Sequence, residues 1–336
     1  ENLSAARDAY EINAAGRIVM PAFVDSHAQI VFAGGHSIQA DSKPRLEKRA
    51  RAIAEGMLRH GTCSIEAKAG YGLDDIALMK TLRVHAALNG KPLDVVSTVL
   101  GPESLPDAEF ARRLLTQTLP AIRRRRLARF VDIRCEEGVF NLAHVKRFLE
   151  SAAQLGFHPK MQTGHGSGEG CVGLGAELRV VAIGCFRHLT PKETDILARS
   201  SIIATLLTGS FFQSGEGPGE SARRLIEEGG IVALASNSDP DTNPGYNMQR
   251  AIALACRDMG MTAAQAISAA TINGAFALGL AARTGSLEPG KNANLLLLNL
   301  SDYRDIPYYA GVNNVHMTMK DGAVAYTEGA VATLPC

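Results

Sequence analysis

Short apolar runs alternate along this chain with longer stretches whose apolar residues recur every three to four positions. The runs are rich in Val, Ile, Leu and Ala and end in polar residues or glycine. They fall at 17–24, 62–67, 93–100, 128–134, 158–162, 182–188, 202–207 and 231–235. Compact runs bounded by turn residues predict buried strands, and the helical period between them predicts amphipathic helices. Helical patterns follow at 45–59, 74–88, 107–126, 141–155, 191–199, 220–228 and 246–259; the stretch after Gln162 is glycine-rich first and helical later. Eight strand–helix alternations predict a parallel sheet. Eight units within about 250 residues fit a closed (β/α)8 TIM barrel better than an open sheet.

Local signals set the helix ends. Asp107 and Asn141 are suited to N-caps, and Pro191 follows Thr190 at a first turn. Gly90 and Gly156 fit left-handed C-terminal positions. The arginines at 123–126 sit near a helix C-terminus, where cations favour the dipole. From about Gly285 the pattern changes. Segments 293–300, 314–320 and 323–326 read as strands, with Asp321-Gly322 as a hairpin turn. The expected organisation is a barrel at 19–284 beside a small β-sandwich built from residues 1–18 and 285–336.

Composition narrows the function. Lys and Arg number 35 and Asp and Glu 34, giving a net charge of +1. That balance argues against a nucleic-acid binder. No apolar run reaches the roughly 18–20 residues of a membrane-spanning helix, so no membrane partner is expected. Six cysteines lack any C-x-x-C pair and read as reduced thiols, which predicts a cytoplasmic protein. The chain starts at Glu1 without Met or a signal-peptide pattern, so its true start is expected to be trimmed. The partner is expected to be a small-molecule substrate, and a homodimer is compatible with this reading.

Chemistry in a TIM barrel gathers at the C-terminal ends of the strands. The residues just past each run are therefore the candidates: His27 and Gln29, Lys68 with Tyr71, Glu103, Glu136 with Glu137, Gln162 with His165, His188, Thr208, and Asn237 with Asp239. Ordinary capping and solvation would account for any one of them, and convergence of polar groups from all eight strands favours a site. Strand alternation places His27 and Gln29 on one side. Gly168-Glu169-Gly170-Cys171-Val172-Gly173 fits G-x-G-x-x-G, but a barrel is the wrong scaffold for a dinucleotide, so a glycine-rich loop shaping the mouth is expected.

Longer segments carry a resemblance. Gly16-Arg17-Ile18-Val19-Met20-Pro21-Ala22-Phe23-Val24-Asp25-Ser26-His27 resembles the opening of the amidohydrolase superfamily barrel. Glu66-Ala67-Lys68-Ala69-Gly70-Tyr71-Gly72-Leu73, Cys135-Glu136-Glu137-Gly138-Val139-Phe140, Ala270-Thr271-Ile272-Asn273-Gly274-Ala275 and Gly285-Ser286-Leu287-Glu288-Pro289-Gly290-Lys291 are similar to the imidazolonepropionase family, from about residue 16 to 325. The resemblance implies a barrel with a composite β-sandwich and opening of a cyclic imidazolone. It also implies a metal site from a His-x-His on the first strand, a His on the fifth and an Asp on the eighth. Here those positions hold His27, Gln29, Gln162 and Asn237. The position of the family's proton-shuttling Glu holds His165, while His188 on the sixth strand, Tyr71 and Lys68 match. Glu103 replaces a substrate-contacting His, and Asp239 replaces an Asn. The loop after the first strand is short. Carboxamides are poor zinc ligands, and even an outer-sphere loss typically costs about 10–100-fold in metal affinity.

Three functions follow. The leading one is a divergent enzyme acting on a small nitrogen heterocycle or cyclic amide without a cofactor, by metal-independent hydrolysis or by a lyase or isomerase step. His165 and His188 would be its acid–base groups and Asp239 would orient one of them. Tyr71, Lys68, Glu103, Gln29, Gln162, Asn237 and Glu137 would bind substrate. The second is a metallohydrolase using zinc or iron, with an altered shell of His27, His165, His188 and Asp239; in the leading reading His27 is a residual ligand. The third is a non-catalytic binding protein on a retained fold.

Overall fold

The structure is a computed structural model. It describes residues 11–32, 38–70, 73–102, 108–136, 141–163, 169–184, 186, 189–214 and 219–329. Two sheets organise the chain. A four-stranded antiparallel sheet contains β1 (Ile18–Pro21), β10 (Leu295–Leu298), β11 (Val315–Lys320) and β12 (Ala323–Thr327) in that order. An eight-stranded parallel sheet runs in chain order. Its strands are β2 (Phe23–Ala28), β3 (Thr62–Ala69), β4 (Asp94–Leu100), β5 (Phe130–Cys135), β6 (His158–Thr163), β7 (Ala182–Gly184), β8 (Ile203–Leu207) and β9 (Ile231–Ala235).

The last strand returns to the first and makes the barrel. Ser26 Oγ donates to the Leu234 carbonyl at 2.8 Å, the Gln29 N–H to the Ser238 carbonyl at 2.6 Å, and the Asn237 N–H to the His27 carbonyl at 3.2 Å. Asp25 strengthens this seam by accepting from the Ser236 N–H at 3.0 Å and the Ser236 hydroxyl at 2.5 Å. Strands such as β2, β3 and β8 are buried throughout, as expected for a parallel sheet covered by helices.

Local chemistry explains most boundaries. Asn141 caps its helix by accepting from the Ala143 N–H at 2.8 Å. Thr190 and Glu193 form a reciprocal capping box ahead of Pro191. Gly90 and Gly156 have φ of 91° and 87°. The run 17–24 is divided between the two sheets. After β1 the Ala22 N–H turns to the Asn294 carbonyl, and the Phe23 N–H joins Gly61 on the barrel side. The pattern over 107–126 breaks into the helices Ala108–Arg113 and Leu119–Arg124 with a π-helical turn, Leu114–Thr118, between them. Pro120 lacks the N–H that a regular α-turn needs there.

Three short helices, Thr208–Ser214, Ala263–Ala269 and Ile272–Leu278, were not expected from the periodicity. Two further expectations are corrected. Cys135 and Cys171 form a disulfide, so not all the cysteines are reduced thiols; Cys63 and Cys256 are free. The pattern alone could not show that residues 36 apart in sequence meet. Glu169–Glu177 is helical, so most of the G-x-G-x-x-G segment is not a loop. Gly170 sits where a Cβ would lie 2.6 Å from Leu142 Cδ1, so this glycine permits close helix packing. Among the described residues no helix is long and apolar enough to cross a membrane.

Candidate active site

Polar side chains point into the barrel from β2, β3, β5 and β6, because alternate residues of each strand face inward. They form one connected cluster. Lys68 Nζ lies 2.5 Å from Asp132 Oδ2 and 2.8 Å from Glu66 Oε1. Lys160 Nζ lies 2.5 Å from Glu66 Oε2 and 4.1 Å from the centre of the Phe130 ring. Thr98 Oγ1 donates to Glu66 Oε1 at 2.5 Å, and Gln162 Nε2 donates to Asp132 Oδ2 at 2.9 Å. Two ammonium groups thus face two carboxylates. The side chains bordering His27 and Gln162 leave only about 10 Å³ of free space between them, and Asp132 Oδ1 has no hydrogen-bond partner among the described residues.

Electrostatics follow from this packing. Burial pushes the Glu66 carboxyl up, but Lys160 and Lys68 outweigh it and hold the pKa at about 2. Burial lowers the Lys160 ammonium to about 8, with repulsion from Lys68 adding to the effect and Glu66 opposing it. Lys68 is raised, since Asp132 and Glu66 overcome its burial. His27 is lowered to about 3 by burial and then by Lys68 and Lys160, so it is a neutral imidazole at neutral pH.

Of the four positions that would hold a metal in the amidohydrolase pattern, one carries an imidazole. The other three carry amides with acceptors of their own. Gln29 Nε2 donates to Asp239 Oδ2 at 3.1 Å, Gln162 Nε2 to Asp132, and Asn237 Nδ2 to Ser210 Oγ at 2.6 Å. Two cations also stand near His27. A catalytic zinc needs about three strong protein ligands. Among the described residues no group of three His, Cys, Asp or Glu side chains is placed to hold a metal. This donor set does not fit a zinc site of the usual kind.

The structure brings His27, Lys68 and Gln162 together and ties Gln29 to Asp239. Lys68 is locked in ion pairs beneath the mouth, with its side chain 3% exposed, so it acts on Asp132 and not on solvent. Asp239 is engaged at both oxygens: besides Gln29 it accepts from the Asp241 N–H at 2.9 Å. Asn237 adopts a left-handed φ of 54°, which Asn tolerates better than most residues. Tyr71, Glu103, Glu137, His165 and His188 lie outside the described residues. Glu66, Asp132, Lys160 and Asp25 were not among the sequence candidates. Their signal was present: charged or polar residues inside apolar strand runs, spaced two apart, as in Glu66 with Lys68 and Lys160 with Gln162.

Comparison with known proteins places this geometry. The amidohydrolase family pattern matches residues 188–325. The imidazolonepropionase of Geobacillus kaustophilus is 34% identical over 360 residues, covering 96% of this chain and 84% of that protein. That of Parabacteroides distasonis is 35% identical, covering 94% and 84%. Among solved structures, a 5-methylcytosine deaminase from Klebsiella pneumoniae superposes with a TM-score of 0.73 at 17% identity, covering 99% of this chain and 92% of that one. An adenosine deaminase from Xanthomonas campestris, solved with bound Zn, gives 0.69 at 17%, covering 95% and 83%. These two share the fold. The full-length similarity at about one residue in three decides the family: the chain belongs to the imidazolonepropionases, hydrolases of the amidohydrolase superfamily.

Proposed function

We propose that this protein opens a C–N bond of a small nitrogen heterocycle or cyclic amide, of the imidazolone type, by acid–base chemistry without a resident zinc ion. One observation carries the reading. Three of the four ligand positions hold carboxamides whose N–H groups are already directed to Asp239, Asp132 and Ser210. Such a cradle suits hydrogen bonds to a polar ring better than coordination of a cation.

In this reading His165 and His188 are the acid–base pair. One takes a proton from water as the oxygen attacks the ring carbonyl. The other returns a proton to the ring nitrogen as the C–N bond breaks. Asp239 orients one of them. Gln29, Gln162 and Asn237, with Tyr71, Glu103 and Glu137, contact the substrate. Gln162 is aimed by Asp132, which Lys68 holds in place.

The test is turnover of imidazolonepropionate, followed by ring absorbance, on protein of known metal content before and after exhaustive chelation. Ring opening that survives chelation at well below one metal per chain is expected. His165→Ala and His188→Ala should each lower kcat by about 100-fold or more. Near-stoichiometric zinc together with loss of activity on chelation would overturn the proposal in favour of an altered metal shell. Binding without turnover would instead mark a non-catalytic protein.

A further inference from the structure

The inward face of β5 grades from buried to open. Phe130, Asp132 and Arg134 alternate along the strand and share one side of it, and Glu136 follows just past its end. Asp132 identifies that side as the barrel interior, because its Oδ2 meets Lys68 and Gln162 there. Phe130 and Asp132 are each 1% exposed. The Arg134 and Glu136 side chains are 38% and 15% exposed. Strand register sets the level of Arg134. It is the Cα partner of Gln162 across β5 and β6, and this ladder runs without a bulge from Phe130 to Cys135. Paired residues on adjacent strands present their side chains to the same face, with the strands about 4.8 Å apart. Arg134 therefore stands one layer nearer the mouth than Asp132, beside Gln162.

The cations on these strands differ in what can reach them. Lys68 and Lys160 are each 3% exposed at the side chain and are paired with Asp132 and Glu66, so neither can receive a ligand. Among the described lysines and arginines of β3, β5 and β6, Arg134 is the one open to solvent. Its Nη2 lies 2.8 Å from Glu136 Oε2, and it has no other hydrogen-bond or ion-pair partner among the described residues. A guanidinium carries five N–H donors in a planar fork that matches a carboxylate. A partly exposed ion pair contributes little, so the Glu136 contact leaves the rest of that fork available to a second carboxylate.

We propose that Arg134 is a specificity-determining residue of this site: it binds a carboxylate carried by the substrate and so sets the heterocycle against Gln162. The ligand class rests on the ring-opening reading above. The buried layer beneath, with its two ammonium groups matched by two carboxylates, offers an anion no competing cation.

The experiment compares the full natural chain with Arg134→Gln. On imidazolonepropionate the variant should raise KM about 10–100-fold, the usual worth of a hydrogen bond to a charged group, with kcat within about threefold. Binding is read separately by calorimetry with imidazole-4-propionate, whose aromatic ring is not opened by hydrolysis, and with its neutral side-chain amide. Arg134→Gln should weaken the propionate by the same factor and leave the amide within about threefold. An unchanged KM and propionate affinity overturns the proposal. Equal weakening of both ligands also overturns it, because a merely structural role would affect the amide as much. Should the variant fail to fold, the natural chain decides alone: it should bind the propionate at least about tenfold more tightly than the amide, and equal binding, or binding of neither, overturns the proposal. If the natural chain turns over nothing but binds the propionate through Arg134, the ring-opening reading fails and the anion site stands. If turnover persists with KM unchanged in Arg134→Gln, the reverse holds.

Discussion

Lys68 holds two carboxylates at once, and this makes it the pivot of the buried cluster. Lys68→Met would leave Asp132 without its cation. Breaking a buried pair from one side typically destabilises by about 3–5 kcal/mol. A loss of that size in urea unfolding is expected, and adding Asp132→Leu should recover part of it because Glu66 and Lys160 remain matched. Acid stability is also set by single residues. Burial lowers His27 and His85 to about 3, with Lys68 and Lys160 adding to the effect at His27, and burial raises Asp25 to about 6 against the Ser236 hydrogen bonds. The ordinary values are about 6.5 and 3.9. Each histidine contributes stability that is present above about pH 6.5 and lost as pH falls toward about 3. The Asp25 contribution runs the other way: it is full below about pH 3.9 and lost as pH rises through about 6. Between about pH 5 and about pH 6, unfolding takes up two protons at the histidines and releases one at Asp25. These three groups then make stability rise by about 1.4 kcal/mol per pH unit, and Asp25→Asn should raise that slope to about 2.7. Equal slopes for the two proteins in urea unfolding would refute the assignment. Lys68 and Gln162 could be picked out as candidates from the sequence because one follows an apolar run and the other ends one. That they share Asp132 could not, since pairing across β3, β5 and β6 depends on strand register.

At the level of elements, Gly70 shows how tightly the end of β3 is fitted. A Cβ there would lie 2.4 Å from Leu100 Cβ and 2.8 Å from the Leu100 carbonyl oxygen. The carbonyl is backbone and cannot swing aside, so Gly70→Ala should destabilise by about 1–3 kcal/mol. A urea midpoint unchanged from the natural chain would show that the strand ends move apart freely. The strands themselves were readable, because continuous apolar runs ended by glycine or polar residues have few alternatives in a chain of this pattern. Their ends were less so. Of the run at 182–188, Ala182–Gly184 form a barrel strand among the described residues. The helix Glu169–Glu177 was partly hidden by its glycines, which read as loop until packing on Leu142 explains one of them.

Across the whole molecule, the four-stranded sheet is attached to the barrel through buried polar contacts. Gln249 Oε1 accepts from the Asn314 N–H at 3.0 Å and from its side chain at 3.2 Å, while Gln249 Nε2 donates to Asn313 Oδ1 at 3.0 Å. Thr318 Oγ1 donates to the Leu58 carbonyl at 3.0 Å, and Lys320 pairs with Asp94 at 3.0 Å. Gln249→Leu strands the Asn314 groups and should destabilise by about 1–3 kcal/mol. Retention of the natural stability would mean that the sheet is held mainly by its apolar face. Barrel class and family were legible from residue order, because hydrophobic periodicity and motif chemistry are properties of short segments. Folding alone decided which charges neutralise each other beneath the mouth, that Cys135 meets Cys171, and that the amides of Gln29, Gln162 and Asn237 already have acceptors. Those outcomes turn on distances between residues far apart in the chain, and a linear string of side chains carries no such distances until the strands are in register.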